Sequence, residues 1–367
     1  MSDHALPASV SRRRLLQLGV LGAGLGGASR YWSRLAVLAA GASTVWKPPR
    51  SIDRTGSTDV SAALNDWLVS VVPQPGDVVE LAGTFLLTDS LKLGSAQAPI
   101  TGVTFDLTAA TLTMPTVQVS QFGRPVLSCV NLHDCVIAGG TIVGANARGA
   151  DGVNAGLAGW HGITIGGGTT SLTLSGQTVR NVWGDFVFVG GGNNQNLGLA
   201  QLTGAVAGRH AISVRHASGL TITNSAFSSI QHLFFDHEPH SGDGLTNLEI
   251  SNCVGPAGGL GLFLQLRPLA STPCSNIYVH DHILTKGHYH IVGGSAGVQR
   301  DGFRLEHLTT QMTTATSSLP LITIGSTAAG YDNVVISDVH DLVTDPTRAV
   351  QCLNCPNARI DLSGIAT

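Results

Sequence analysis

Apolar and polar residues alternate in short runs through most of the chain. From residue 170 onward the runs recur: Leu172-Thr-Leu174, Leu220-Thr-Ile222, Leu248-Glu-Ile250, Ile277-Tyr-Val279, Phe303-Arg-Leu305, Val334-Val-Ile336 and Arg359-Ile-Asp-Leu362. A period of two over a few positions is that of a strand with one face buried. With Ile222, Ile250, Val279, Leu305, Ile336 and Ile360 as markers, the steps are 28, 29, 26, 31 and 24 residues. A loose repeat of this size marks a solenoid. Two places past the markers sit Asn224, Asn252, Asp281, His307 and Asp338. In a coil of stacked strands, equivalent positions lie about 4.8 Å apart, and Asn or Asp at a bend can satisfy turn amides. Gly166-Gly-Gly168 and Gly190-Gly-Gly192 read as bends between strands. Helical periodicity is nearly absent after residue 75. The pattern predicts an all-β fold, a parallel β-helix. A propeller would need four strands per blade of about 40–45 residues, and the leucine-rich consensus is missing.

One helix is predicted, over about residues 59–71. Thr58-Asp59 supplies the cap, and Ala62, Ala63, Leu64, Trp67, Leu68 and Val71 form the apolar face. The turn Pro73-Gln-Pro75-Gly76-Asp77 and the strand Val78–Leu81 follow.

Two stretches carry a resemblance. Asp53-Arg-Thr-Gly56-Ser-Thr58-Asp59, the helix, and Gly76-Asp-Val-Val-Glu-Leu-Ala-Gly83-Thr-Phe85 resemble the entry segment of the pectate-lyase-like superfamily. The likeness implies a right-handed parallel β-helix whose open apolar end is covered by the helix. An uncovered end would expose core and unpaired strand edges. Gly208-Arg-His-Ala-Ile-Ser-Val214, Leu220–Phe227 and Phe235-Asp-His-Glu-Pro239 resemble a segment common in bacterial β-helix proteins. That segment usually has an aliphatic residue between its two acids, where this chain has His237, which either packs inward or titrates in a site.

Composition agrees with such a fold. The 367 residues are 43% apolar and 12% charged, with 46 glycines. A length prior of several domains does not hold for an elongated repeat. The formal net charge is −3, so no strong field invites nucleic acid or an anionic membrane. Ser11-Arg-Arg-Arg-Leu-Leu16 precedes an apolar, glycine-rich run to Ala28 and resembles a twin-arginine export signal. That run is too short and glycine-rich for a stable membrane span. The expectation is a signal and linker over residues 1–45, then one β-helix domain over 46–367. It places the protein outside the cell or in its envelope, as a monomer.

The six cysteines are Cys129, Cys135, Cys253, Cys274, Cys352 and Cys355. Export permits disulfides, with Cys129/Cys135 and Cys253/Cys274 as pairs. Buried free thiols are the alternative. Cys352/Cys355 has the spacing of half a zinc site, without a second half.

Candidate chemistry gathers on one face. Asp236 and Glu238 share a strand face, with Cα atoms roughly 6.5–7 Å apart. Inverting glycosidases hold two carboxyls about 6.5–9.5 Å apart. Aligning Glu238-Pro239 with Arg267-Pro268 puts Asp236 beside Gln265 and Glu238 beside Arg267. Asp185, Arg209 and His290 fall on neighbouring rungs. The expected catalytic set is Asp236, Glu238 and Asp185. Arg209, Arg267, His290, His237 and Gln265 form the expected substrate-binding set. Trp160, Trp183 and Phe234 are candidates for stacking on sugar rings, and the loop 144–160, with Asp151, for bordering the groove. A cross-rung ion pair of Glu238 with Arg267 is the bland alternative. His232, His237, His240, His280, His282, His288 and His290 crowd two rungs, but His-Glu-x-x-His is absent and no metal is assigned.

Three functions follow from these features. The first is a glycoside hydrolase acting on a polysaccharide by paired-carboxylate catalysis, without a cofactor. The second is a polysaccharide lyase on uronic-acid polymers, which alone would bring in Ca²⁺. The third is a non-catalytic surface or adhesion β-helix.

Overall fold

The computed structural model describes residues 44–117, 123–147, 149, 156–257, 262–286, 289–310, 322–340 and 350–361. The proposed export signal, Asp151 and His288 lie outside these residues.

The described residues form a right-handed parallel β-solenoid of about ten turns with one short helix. The strand ladders are parallel throughout. Ten short strands, one per turn, build one sheet, and strands of two to eleven residues build a second of eighteen. Successive turns meet in register, so like positions stack into columns. One inward column runs Ile163, Val187, Ile212, Phe235, Leu264, Ile291 and Ile322, and every member is buried. The next inward column runs Ile165, Val189, Val214, His237, Leu266, Gly293 and Ile324. β-Branched side chains fill such columns well, because each packs on its equivalents above and below. Each full burial stabilises by about 1.5–3 kcal/mol.

The polar positions two places past the markers form a corner. Asn224, Asn252, Asp281, His307 and Asp338 all have φ between 51° and 52°, the left-handed region that Asn and Asp tolerate. A second left-handed column, Asn196, Gly219, Asn247, Asn276, Gly302 and Asn333, lines the start of the long strands. Asn276 donates to Asn247 Oδ1 at 3.0 Å there.

The helix α1 spans Ser61–Val71. It begins later than the expected 59, because Asp59 ends the strand Thr55–Asp59. The Asp59 carboxylate accepts from the Ser61 and Thr88 amides at 3.0 and 3.1 Å, so it ties helix to loop. Leu64 and Leu68 are buried in the common core, and Asn65 holds the edge of the first short strand through Ser90 O and the Lys92 amide. Among the described residues, no helix is long and apolar enough to cross a membrane.

All six cysteines are free. Cys129, Cys135, Cys253 and Cys274 are buried, which matches the inert-thiol alternative rather than the two pairings.

Candidate active site

The short strand Leu233–His237 is central. Its register sets Ser213, Asp236 and Gln265 side by side on three turns. The alternation of the strand turns Asp236 and Glu238 to one face and His237 to the other. His237 therefore lies fully buried in the inward column, with neither ring nitrogen hydrogen-bonded. This corrects its expected place among the substrate-binding residues. Burial pushes its imidazole down to about 3, so it is neutral.

The acids and arginines form one chain of contacts across the turns. Arg267 Nη2 donates to Asp236 Oδ2 at 2.5 Å and to Glu238 Oε1 at 2.6 Å. Arg209 Nη2 donates to Glu238 Oε2 at 2.9 Å. Arg209 Nη1 lies 3.6 Å from Asp185 Oδ2. Asp185 Oδ1 accepts the His210 amide at 3.0 Å. His210 Nε2 lies 3.4 Å from Asp236 Oδ2. The structure thus brings Asp185, Arg209, Asp236, Glu238 and Arg267 together, with Gln265 next to Asp236. His290 is half-buried on the following turn, where its carbonyl accepts the Phe263 and Leu264 amides.

Burial and partners divide the charges. Burial, then the neighbouring Glu238 charge, push Asp236 up to about 7 despite Arg267. Burial works the same way on Glu238, but Arg209 outweighs it and holds Glu238 below its usual range. Burial would also raise Asp185, yet His161 and Arg209 keep it well below the usual carboxylate range. Burial drives His210 down to about 4. Near neutral pH, Asp236 is close to its midpoint and partly protonated, while Glu238 and Asp185 are ionised.

The side chains of the two acids converge. Single ligand atoms of His210, Asp236 and Glu238 all lie within 4.8 Å of one another. One oxygen of each carboxyl thus comes near the other, both on Arg267 Nη2. The reason is Arg267, which draws both carboxylates onto one nitrogen. The same three residues offer the donor set of a metal site, but two guanidinium groups already neutralise the acids. A cation would have to displace them, so the set does not fit a metal.

Access differs across the pair. Asp236 is fully buried, whereas Glu238 and Arg267 keep 30% and 46% of their side-chain surface exposed. Asp236 Oδ1, Ser213 Oγ and His210 Nδ1 are buried without a hydrogen bond, so polar capacity remains beneath Arg267.

His161 was not singled out from the sequence. Its Nδ1 accepts the Asp185 amide at 3.0 Å, and its ring stacks on Phe188 at 4.7 Å. With Met114, Arg124, Trp160 and Trp183 it lines a small cleft beside the acids. Phe234, a candidate stacking residue, instead packs on Phe263 in the core at 4.9 Å.

A parallel β-helix with a buried acid–arginine cluster across its short-strand sheet is the class that fold and site define. No family model matches the chain, and no curated protein matches it in sequence. Among solved structures it is similar to the Family 28 exopolygalacturonase of Yersinia enterocolitica, at 13% identity over 87% of this chain and 78% of that chain, TM-score 0.45. It is also similar to PfbA, a surface adhesin of Streptococcus pneumoniae, at 11% identity over 87% and 93%, TM-score 0.44. A third is the Dettilon tailspike protein, at 14% over 95% and 74%, TM-score 0.39. Likenesses this distant carry no function, and the fold rests on the ladders described above.

Proposed function

We propose that the chain is an exported glycoside hydrolase that cleaves a polysaccharide, with Asp236 as general acid and Glu238 as nucleophile. The observation that carries this reading is the opposite displacement of two carboxyls on one strand face. One is pushed up to near neutrality by burial and its neighbour's charge, the other is held ionised by Arg209. Pairs of carboxyls pushed apart in this way supply acid and base at one pH.

The convergence of both carboxyls on Arg267 suits the retaining geometry, in which the two stand about 5–5.5 Å apart. Asp236 would give its proton to the glycosidic oxygen as the bond to the anomeric carbon breaks. Glu238 would bond to that carbon, and water would then release the sugar with Asp236 as base. Asp236 becomes accessible when the half-exposed Arg267 swings aside. Arg209, fixed between Asp185 and Glu238, would keep Glu238 ionised. The lyase alternative needs a base among the arginines or histidines. Arg209 is pushed above its ordinary value by Asp185 and Glu238 once burial is overcome, and His210 is boxed in between acids.

The test is incubation of the mature chain with a panel of neutral and acidic polysaccharides, following reducing ends and unsaturated ends together. New reducing ends without unsaturation, lost in Asp236→Asn and Glu238→Gln, are expected. Unsaturated ends would replace this reading with the lyase. No product from any polymer, with binding retained, would favour the adhesin.

A further inference from the structure

We propose that Cys352 and Cys355 form an intramolecular disulfide once the protein meets an oxidising compartment. This inference does not depend on the proposed catalysis. Of the six cysteines these two alone are not fully buried, and both pack against the core, three residues apart across one bend.

The turn that carries them is pinned in place. Cys352 closes the strand Val350–Cys352, paired to Ile324. The Leu353 amide donates to Ile324 O at 2.9 Å, and Ala358 to Cys355 O at 3.2 Å. Asn354 takes φ 53°, which bends the chain back between the two cysteines. Its Nδ2 donates to Ser326 O at 2.7 Å. Gly325 and Gly330 lie beneath, where a Cβ would meet Leu353 O at 2.1 and 2.2 Å. The turn that carries both cysteines against the core is therefore fixed before any bond forms, so little ordering remains to oppose closure.

The step requires a disulfide oxidant, for which glutathione disulfide serves. Burial and the neighbouring Cys355 hold the Cys352 thiol protonated, so Cys355 attacks first. Its sulfur, having lost a proton, bonds to one glutathione sulfur and expels the other as a thiol. Cys352 then loses its proton, attacks Cys355 Sγ and expels the second glutathione. Two protein thiols are oxidised, one disulfide is reduced to two thiols, and the last described turn is closed covalently.

The full chain, treated with glutathione disulfide and alkylated under denaturing conditions, tests this by peptide mass. The tryptic peptide between Arg348 and Arg359 contains both cysteines. It is expected two hydrogens lighter and unalkylated, while the other four cysteines are alkylated. Cys352→Ser is expected to stop at a glutathione adduct on Cys355, and Cys355→Ser to stay unmodified over the same time. Alkylation of both cysteines in the wild type after oxidation would overturn the proposal. So would adducts at both sites without ring closure.

Discussion

Removing the Glu238 charge should let Asp236 release its proton at much lower pH. The two carboxyls offer oxygens within 4.8 Å of each other. At an effective dielectric of about 20, unit charges that far apart repel by about 3.5 kcal/mol. That corresponds to about 2.5 pH units. Asp236, pushed up to about 7 by burial and this neighbour, should then titrate near pH ~4.5 in Glu238→Gln. Arg267 acts in the opposite sense, so Arg267→Ala should move the Asp236 midpoint above that of the wild type. The assay is carbon-13 NMR of side-chain-labelled aspartate across pH, with Asp236→Asn identifying the resonance. It needs no substrate. A wild-type midpoint near that of an ordinary aspartate, or the same midpoint in Glu238→Gln, would refute the electrostatic account of the pair.

Further outcomes can be checked independently. Once a cleaved polymer is known, Asp236→Asn should lower kcat by about 10²–10⁴-fold, and an unimpaired variant would remove Asp236 from the chemistry. His210, His237 and His282 are driven down to about 4, 3 and 3 by burial, so the unfolded chain binds protons there that the fold refuses. Their contribution is whole above the unfolded value near 6.5 and falls as pH drops. Asp236 and His280 oppose this, since their raised pKa values favour the fold at low pH. The urea midpoint should thus be lower at pH 5 than at pH 7, and a higher midpoint at pH 5 would contradict the reading. Phe263, packed on Phe234 and on His282 at 4.4 Å, should cost about 3–5 kcal/mol when changed to Ala, measured by urea unfolding. Asp185→Asn should destabilise by about 3 kcal/mol, because Asp185 is fully buried between Arg209 and the His210 amide. Unchanged stability would mean that Asp185 is dispensable to the cluster.

Much of the coil was legible because its physics repeats. The alternation and the Asn/Asp corner recur every turn, so the ladder and its left-handed column could be read from spacing. Pro239 and Pro268 mark equivalent strand ends, and the register they imply, Asp236 beside Gln265, is the one observed. The second left-handed column was missed because Gly219 and Gly302 interrupt its Asn residues. His237 was misplaced although the signal was present. If Asp236 and Glu238 face outward, a period of two sends the residue between them into the core. His161 gave no such signal. Its partner Asp185 lies 24 residues away, and only the three-dimensional stacking of Trp160-His161 under Gly184-Asp185 joins them. The close approach of the two acids was likewise invisible, since Cα spacing along a strand does not say that Arg267 will gather both carboxylates.

The central claim is that Asp236 and Glu238 work as a closely spaced acid and nucleophile. It is tested most directly by proton NMR of the first sugar released from a cleaved polymer, comparing the wild type with Glu238→Gln. The account predicts that the wild-type product keeps the anomeric configuration of the substrate and that Glu238→Gln releases none. A first product of inverted configuration, or undiminished release by Glu238→Gln, would contradict it.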